Sequence, residues 1–229
     1  MRFRLPGAML ALALPACGGH AAPSSGTSLD DVGHRIALTR PARRIVSLSP
    51  STTELLFAIG AGPALVGRTR WCDYPPEAAS VPSVGDGLDP NVELVVSRRP
   101  DLVVLYASTG NQGIIARLDA LGIASASLKL DRLDDLPRAA RLLGRLAGMA
   151  PRADSLAAWY QARLDSARSA GAAPERRVAL VVWDNPPIVI GAGSFLTEVV
   201  ALAGARNVFD DVAQPSAPTG IETITARDP

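Results

Sequence analysis

The residues able to do chemistry in this chain are few and scattered. There are two His, His20 and His34, and two Cys, Cys17 and Cys72. Nucleophilic catalysis needs a thiol or hydroxyl beside a base that a third group orients. Neither His has such neighbours, so Cys72 reads as a packed thiol. Asp73 and Asp86 are isolated acids in turn-forming surroundings, which suits turns better than acid–base work. One stretch does carry the outline of a ligand site: "RIVSLSPSTTELLFAIGAG", residues 44–62. An apolar run meets a polar turn and an apolar-periodic segment follows, the layout with which nucleotide-binding βα units begin. In a dinucleotide loop the glycines stand in the turn before the helix. Here the turn is "SPSTTE", and Gly60 and Gly62 come after it, as a helix stop would. Ser51 and Glu54 stand at capping-box spacing, which predicts that their side chains occupy first-turn N–H groups and leave few for a phosphate. The stretch therefore predicts recognition without reaction.

The elements that must position this turn alternate in type. Apolar runs at 44–48, 64–68, 101–106 and 123–128 read as strands. Helical patterns fill 52–61, 91–99, 111–122 and 133–148. "DLVVLY" (101–106) is continuously apolar, as a parallel strand buried on both faces would be. The alternation predicts an α/β lobe over 44–148 with a mostly parallel sheet. In such sheets ligands bind outside the carboxyl ends of the strands. That rule places Ser49, Pro50, Ser51 and Thr52 at the mouth of the first strand and Tyr106 at the end of a neighbouring one. A helix over 151–171 follows, about 30 Å long at 1.5 Å per residue, with Leu156, Trp159, Tyr160 and Leu164 as its apolar stripe. A second lobe starts near 176, with strands at 177–183 and 188–191, a turn at "NPP" between them, and helices at 194–204 and 220–229. "GIETITARDP" echoes "NVELVVSRRPDL", where a buried strand follows at once. The second lobe is therefore expected to lack its last elements.

Composition narrows the class. The 229 residues suffice for one large domain or two small ones, and the formal net charge of +1 gives no sign of a nucleic-acid partner. All but one of the cationic residues are Arg, Lys129 being the exception. Arg2 and Arg4 precede an apolar run from Leu5 to Leu14 that is too short to span a bilayer. The run ends "LALPAC", which resembles a bacterial lipoprotein signal cut before a lipid-bearing Cys17. A plain secretory signal cut in "GHAAPSS" is the other reading, and both export the protein. Residues 18–34 then form a flexible tether. With Cys17 lipidated, Cys72 stands alone and no intrachain disulfide is expected.

Four segments, "RIVSLSPSTTELLFAIGAG", "RWCDYPPEA" (70–78), "NVELVVSRRPDLVV" (91–104) and "GSFLTEVVALAGARNVFDD" (193–211), resemble the extracytoplasmic substrate-binding proteins of ABC importers for vitamin B12, iron–siderophores and haem, most of all the corrinoid-binding members. The resemblance covers about 35–229. It implies the fold of class III periplasmic binding proteins, two Rossmann-like lobes joined by one long rigid helix, with ligand held in the cleft between them. It implies no enzyme activity, no cofactor and no metal; the bound ligand would be cobalamin or another corrinoid. It also implies a monomer, periplasmic or at the cell surface, docking on a permease dimer with its ATPase subunits. The family docks through one acidic residue per lobe, which carries over to Glu93 and Glu222. An aromatic that packs on the corrin carries over to Trp71. The family's second lobe-one aromatic is replaced by Gly87 or Leu88, and Trp183 stands displaced from the aromatic of lobe two. Tyr74, before Pro75 and Pro76, reads as a structural turn residue.

Other readings stay open within the class. Siderophore binders often meet anionic chelates with Arg, and Arg68 and Arg70 stand near the cleft. Haem is a further candidate. A two-lobed enzyme such as a glycosyltransferase would need a base and a nucleotide-phosphate site, and a metal-ion binder would need His in the cleft. The stiff helix predicts only modest lobe closure on binding.

Overall fold

A computed structural model of the chain describes residues 28–87, 90–170 and 176–229. It opens with a small hairpin, β1 (Ser28–Leu29) paired antiparallel with β2 (Arg35–Ile36). The hairpin overturns the expectation of a free tether through residue 34. Asp30 is buried and holds it: one carboxylate oxygen accepts from the Val32 and His34 amides, and the other accepts from the Ser127 amide at 2.8 Å.

Lobe one then builds β3 (Ile45–Ser47), α1 (Pro50–Ala58), β4 (Leu65–Arg68), α2 (Val92–Ser97), β5 (Leu102–Tyr106), α3 (Gln112–Ala120), β6 (Ala124–Leu128) and α4 (Asp135–Ala147). The four strands form one parallel sheet in the order β4-β3-β5-β6. Alternate residues of one strand enter opposite cores. Ile45, Leu102 and Val104 pack with residues of α1 and α4, whereas Val46, Val103 and Leu105 pack with residues of α2 and α3. Both faces of the sheet are thus covered, which is why "DLVVLY" needs no polar alternation. Helix ends follow the glycines. Gly60 sits at φ +82°, its amide bonds the Phe57 carbonyl, and the next amide reaches back to Leu56 at 2.7 Å. That double bond is the left-handed stop that a Cβ-bearing residue resists.

A single helix, α5 (Ala150–Ser169), joins the lobes. Its buried residues are Ala153, Ala157 and Leu164, and Trp159 is 58% exposed. The expected stripe of large residues is therefore only partly the packed one. The reason is close approach: a Cβ added to Gly144 of α4 would lie 2.3 Å from the Ala153 Cβ. Ala153 makes the closest approach to α4, Leu156 packs partly on the same core, and Trp159 stands out of it.

Lobe two departs from the single strand expected at 177–183. The chain changes partner at Ala179–Leu180. β7 (Arg176–Val178) pairs in parallel with β10 (Ala205–Asn207), while β8 (Val181–Asp184) forms a hairpin with β9 (Pro187–Ile190), which β11 (Ser216–Pro218) flanks. Helices α6 (Phe195–Leu202) and α7 (Ile221–Ala226) complete the described lobe. Its core gathers on Val189, Val208, Phe209 and Ile224.

The α4–α5 contact yields a direct test. Gly144→Val should destabilise the protein by about 1–3 kcal/mol through overpacking, seen as a Tm lower by several degrees. Gly113→Ala, where an added Cβ meets open space, should leave Tm unchanged or slightly raised. Equal behaviour of the two variants would refute the close-packing account.

Candidate functional site

The sheet order puts a switch point between β3 and β5: from β3 the chain runs outward to β4, then returns to β5 on the other side. A crevice opens at the carboxyl ends of such strands. The turn after β3 stands there, built differently from the expected capping box. Ser49 is the N-cap and makes no side-chain capping bond, Pro50 opens the helix, and Ser51 lies inside the first turn. Proline suits that first position because its missing N–H has no helical partner to lose. The Ser49 carbonyl becomes the local hub. It accepts from the Thr52 and Thr53 hydroxyls at 3.0 Å each and from the Thr53 amide at 3.1 Å. Thr52 is buried, with its hydroxyl also 2.7 Å from that of Ser47. It is thereby withdrawn from ligand contact, a correction to the expected mouth. Ser49 is nearly buried, and Pro50 and Ser51 remain exposed.

Behind this turn lies a cavity of about 520 Å³ between the lobes. Helix α1 lines it with Ser51, Glu54, Leu55 and Ala58, the connector into α4 adds Leu130, Arg132 and Leu133, and α4 itself adds Leu136. Helix α5 contributes Leu156, Trp159 and Tyr160. Lobe two closes it with Phe195 and Val199, and Tyr74 stands on the same wall, 63% exposed. Tyr74, expected as a structural turn residue, thus also lines the cavity, because the fold places the "DYPP" turn beside it, which no local pattern announces. Burial, and next the charge of Asp73, raises the Glu54 carboxyl above its ordinary range.

One polar contact ties the lobes across the cavity. The Glu198 carboxylate of α6 accepts the Leu133 amide at 2.8 Å and pairs with Arg132, whose Nη1 also donates to the Ala192 carbonyl at 2.9 Å. Nothing in the spacing of "KLDRLDDL" and "SFLTEVV" signals this pairing, because the partners lie far apart in sequence.

The predicted aromatics stand outside the cavity wall. Trp71, 59% exposed, follows β4; its indole N–H donates to Asp86 Oδ2 at 3.3 Å, and the Arg70 guanidinium lies 5.0 Å from the ring centroid. Arg70 also pairs with Asp86 at 2.5 Å. Asp86 thus pins the indole edge while Arg70 sits over the ring, a cation–π arrangement. Arg68 donates to the carbonyls of Ala78, Thr69 and Ala79. Tyr106 ends β5, and its hydroxyl donates to Asp131 at 2.8 Å. Burial first, then that acceptor, pushes the Tyr106 phenol up to about 12. Trp183 is 60% exposed on the β8–β9 hairpin, its N–H donating to the Asn185 carbonyl. Glu93 and Glu222 each occupy the second position of a six-residue helix, α2 and α7, and both are exposed. Cys72 is buried beside the Thr69 hydroxyl, and His34 bonds Asp119 at 3.0 Å on the opening hairpin. Cys17, His20 and Leu88 lie outside the described residues.

The model of the periplasmic binding protein family matches residues 45–229. The chain belongs to that family. The vitamin B12-binding protein of Salmonella typhimurium is 33% identical over 193 residues, covering 82% of this chain and 70% of that protein. The vitamin B12-binding protein of Pectobacterium carotovorum is 28% identical over 190 residues, covering 82% and 69%. Among solved structures, the periplasmic vitamin B12 binding protein BtuF of Vibrio cholerae superposes with a TM-score of 0.74 at 28% identity, covering 82% of this chain and 74% of that one. The periplasmic haem-binding protein RhuT of Roseiflexus sp. RS-1 superposes with a TM-score of 0.73 at 27% identity, with the same coverage. The fold is that of class III periplasmic binding proteins, and the relatives are binding proteins rather than enzymes. No helix among the described residues is long and apolar enough to cross a membrane.

Two outcomes test the site geometry. Glu198→Ala should cost roughly 1–2 kcal/mol, because it strips the Leu133 amide and Arg132 of a charged acceptor. Hydrogen exchange should rise at both 131–135 and 192–198; a rise on one side alone would contradict the tie. For Tyr106, the folded phenol ionises above the ordinary value near 10. Its contribution to stability is therefore complete below pH 10 and is lost as pH climbs through about 12. Burial raises the Tyr160 phenol too, so the titration is read in a Tyr160→Phe background: tyrosinate absorbance should show an ionisation near 12 that Tyr106→Phe removes, and its persistence would reject the assignment.

Proposed function

We propose that this protein is the substrate-binding component of an ABC importer and captures a corrinoid, cobalamin or a close relative, in the cleft between its lobes. The observation that carries this reading is the state of the arginines around the cleft. Arg68, Arg70 and Arg132 are all engaged by acceptors within the protein. A polyanionic ferric siderophore finds its expected partners already taken. What stands exposed is the Trp71 indole, held in orientation by Asp86 and Arg70, with Trp183 on the other lobe. A large, flat, largely uncharged macrocycle suits such surfaces. The named relatives bind vitamin B12, which supports the same choice. Ser49, Pro50, Ser51 and Tyr106, at the switch point, complete the lobe-one side. Glu93 and Glu222 dock the loaded protein on the permease dimer and its ATPase subunits, and a lipid on Cys17 holds it at the membrane.

Haem is the second reading, and Tyr74 is the observation that favours it. An exposed phenol on the wall of an apolar cavity can serve as an axial ligand to ferric haem, and RhuT is a haem-binding protein of the same fold.

Calorimetric titration with cyanocobalamin, haemin and ferric siderophores separates these readings. Binding of cyanocobalamin is expected, weakened roughly tenfold by Trp71→Ala and unchanged by Tyr74→Phe. Binding of haemin alone, with a Soret shift lost in Tyr74→Phe, selects the second reading. Binding of a siderophore without a corrinoid rejects both.

A further inference from the structure

The two helices that carry Glu93 and Glu222 are held by the same device. Each is six residues long, with its Glu at the second position, an Arg at the C-cap (Arg98, Arg227) and a left-handed residue next: Arg99 at φ 48° and Asp228 at φ 47°. Each is pinned to its core by one buried residue, Val95 or Ile224. Each also receives one arginine from the first strand region of its lobe. Arg44, just before β3, donates Nε to the Arg99 carbonyl at 2.8 Å and Nη2 to the Arg98 carbonyl at 2.5 Å. Arg177, in β7, donates Nε to the Asp228 carbonyl at 2.8 Å and Nη2 to the Arg227 carbonyl. The same two nitrogens meet the same two carbonyls in lobes whose sheets are otherwise different.

A six-residue helix is too short to hold itself. Its direction is set by what grips its ends. A guanidinium fork on the last carbonyls fills acceptors that the helix leaves open and places a cation at the negative end of the dipole. The fork also fastens the helix to the strand that leads into the ligand cleft. β3 runs to the Ser49 turn, and the chain after β7 runs to the Trp183 hairpin.

We infer that Arg44 and Arg177 are paired positioning residues that aim Glu93 and Glu222 at the permease, one clamp per lobe. The inference rests on the docking role proposed above. Its test measures binding of the ligand-loaded protein to its permease–ATPase complex in lipid nanodiscs, alongside ligand affinity and Tm. Arg44→Ala and Arg177→Ala should each weaken docking roughly five- to tenfold, with ligand affinity retained. Arg44→Ala should add nothing in a Glu93→Ala background yet keep its full effect in Glu222→Ala, and Arg177→Ala should show the reverse. Arg44→Lys and Arg177→Lys keep the charge without the fork and should restore docking only in part. Effects that are additive with the same-lobe Glu, or that track a fall in Tm and ligand affinity, overturn the clamp and leave docking intact. Unweakened docking by the Glu93→Ala/Glu222→Ala double variant overturns the docking role, and the clamp with it.

Discussion

The close contact of α4 with α5 is the constraint on which the two-lobed arrangement rests. Gly148, in the left-handed conformation, ends α4, and the Met149 amide bonds back to the Gly144 carbonyl at 2.6 Å, so α5 begins within two residues. The second helix then returns along the first, and the two approach most closely where Gly144 meets Ala153. Helix α5 also presents Leu156, Trp159 and Tyr160 to the interlobe cavity, where lobe two brings up Phe195 and Val199. The Glu198 contact with Leu133 and Arg132 then fixes how α6 sits over it.

Much of lobe one was legible because its signals are local. The unbroken apolar run of β5 and the glycine stop at Gly60 each act within a few residues. What escaped depends on distant partners. The opening hairpin is ordered by Asp30 reaching the Ser127 amide, nearly a hundred residues away. The expected strand at 177–183 is divided because β10 and β9 compete for it, and neither lies beside it in sequence. The stripe on α5 misled for a related reason: helical periodicity shows which residues share a face, but not whether that face meets a helix or a cavity. The capping box failed at a finer level, since Pro50 can open a helix one turn position ahead of Ser51 and thereby removes it from the cap.

The site itself shows how charge can be present and yet unavailable. Arginines flank the cleft in sequence, which keeps an anionic ligand in view. Folding gives each an acceptor within the protein. Arg68 staples the 3₁₀ turn at Pro76–Ser80 to the end of β4, Arg70 is neutralised by Asp86 over the Trp71 ring, and Arg132 bridges to lobe two. A guanidinium already satisfied by carboxylate or carbonyl must exchange those bonds before it can meet a ligand, which offsets part of the affinity its charge would add. Trp71, with Arg70 over its ring, and Trp183 are nonetheless left largely exposed with their N–H groups satisfied.

The lobes differ most where they are largest and agree most where they are smallest. Lobe one has a four-stranded parallel sheet, while the described part of lobe two has a parallel pair and a separate antiparallel sheet of three. Yet α2 and α7 match in length, in the position of their Glu, in the C-cap Arg, in the left-handed residue beyond it and in the fork that grips their carbonyls. Core packing does not demand this likeness, since the clusters behind Val95 and Ile224 are made of different residues. On the docking role proposed for Glu93 and Glu222, the likeness has a reason: a permease that meets both lobes with equivalent surfaces needs both carboxylates aimed alike, because a carboxylate contributes most to docking when its direction is fixed before contact.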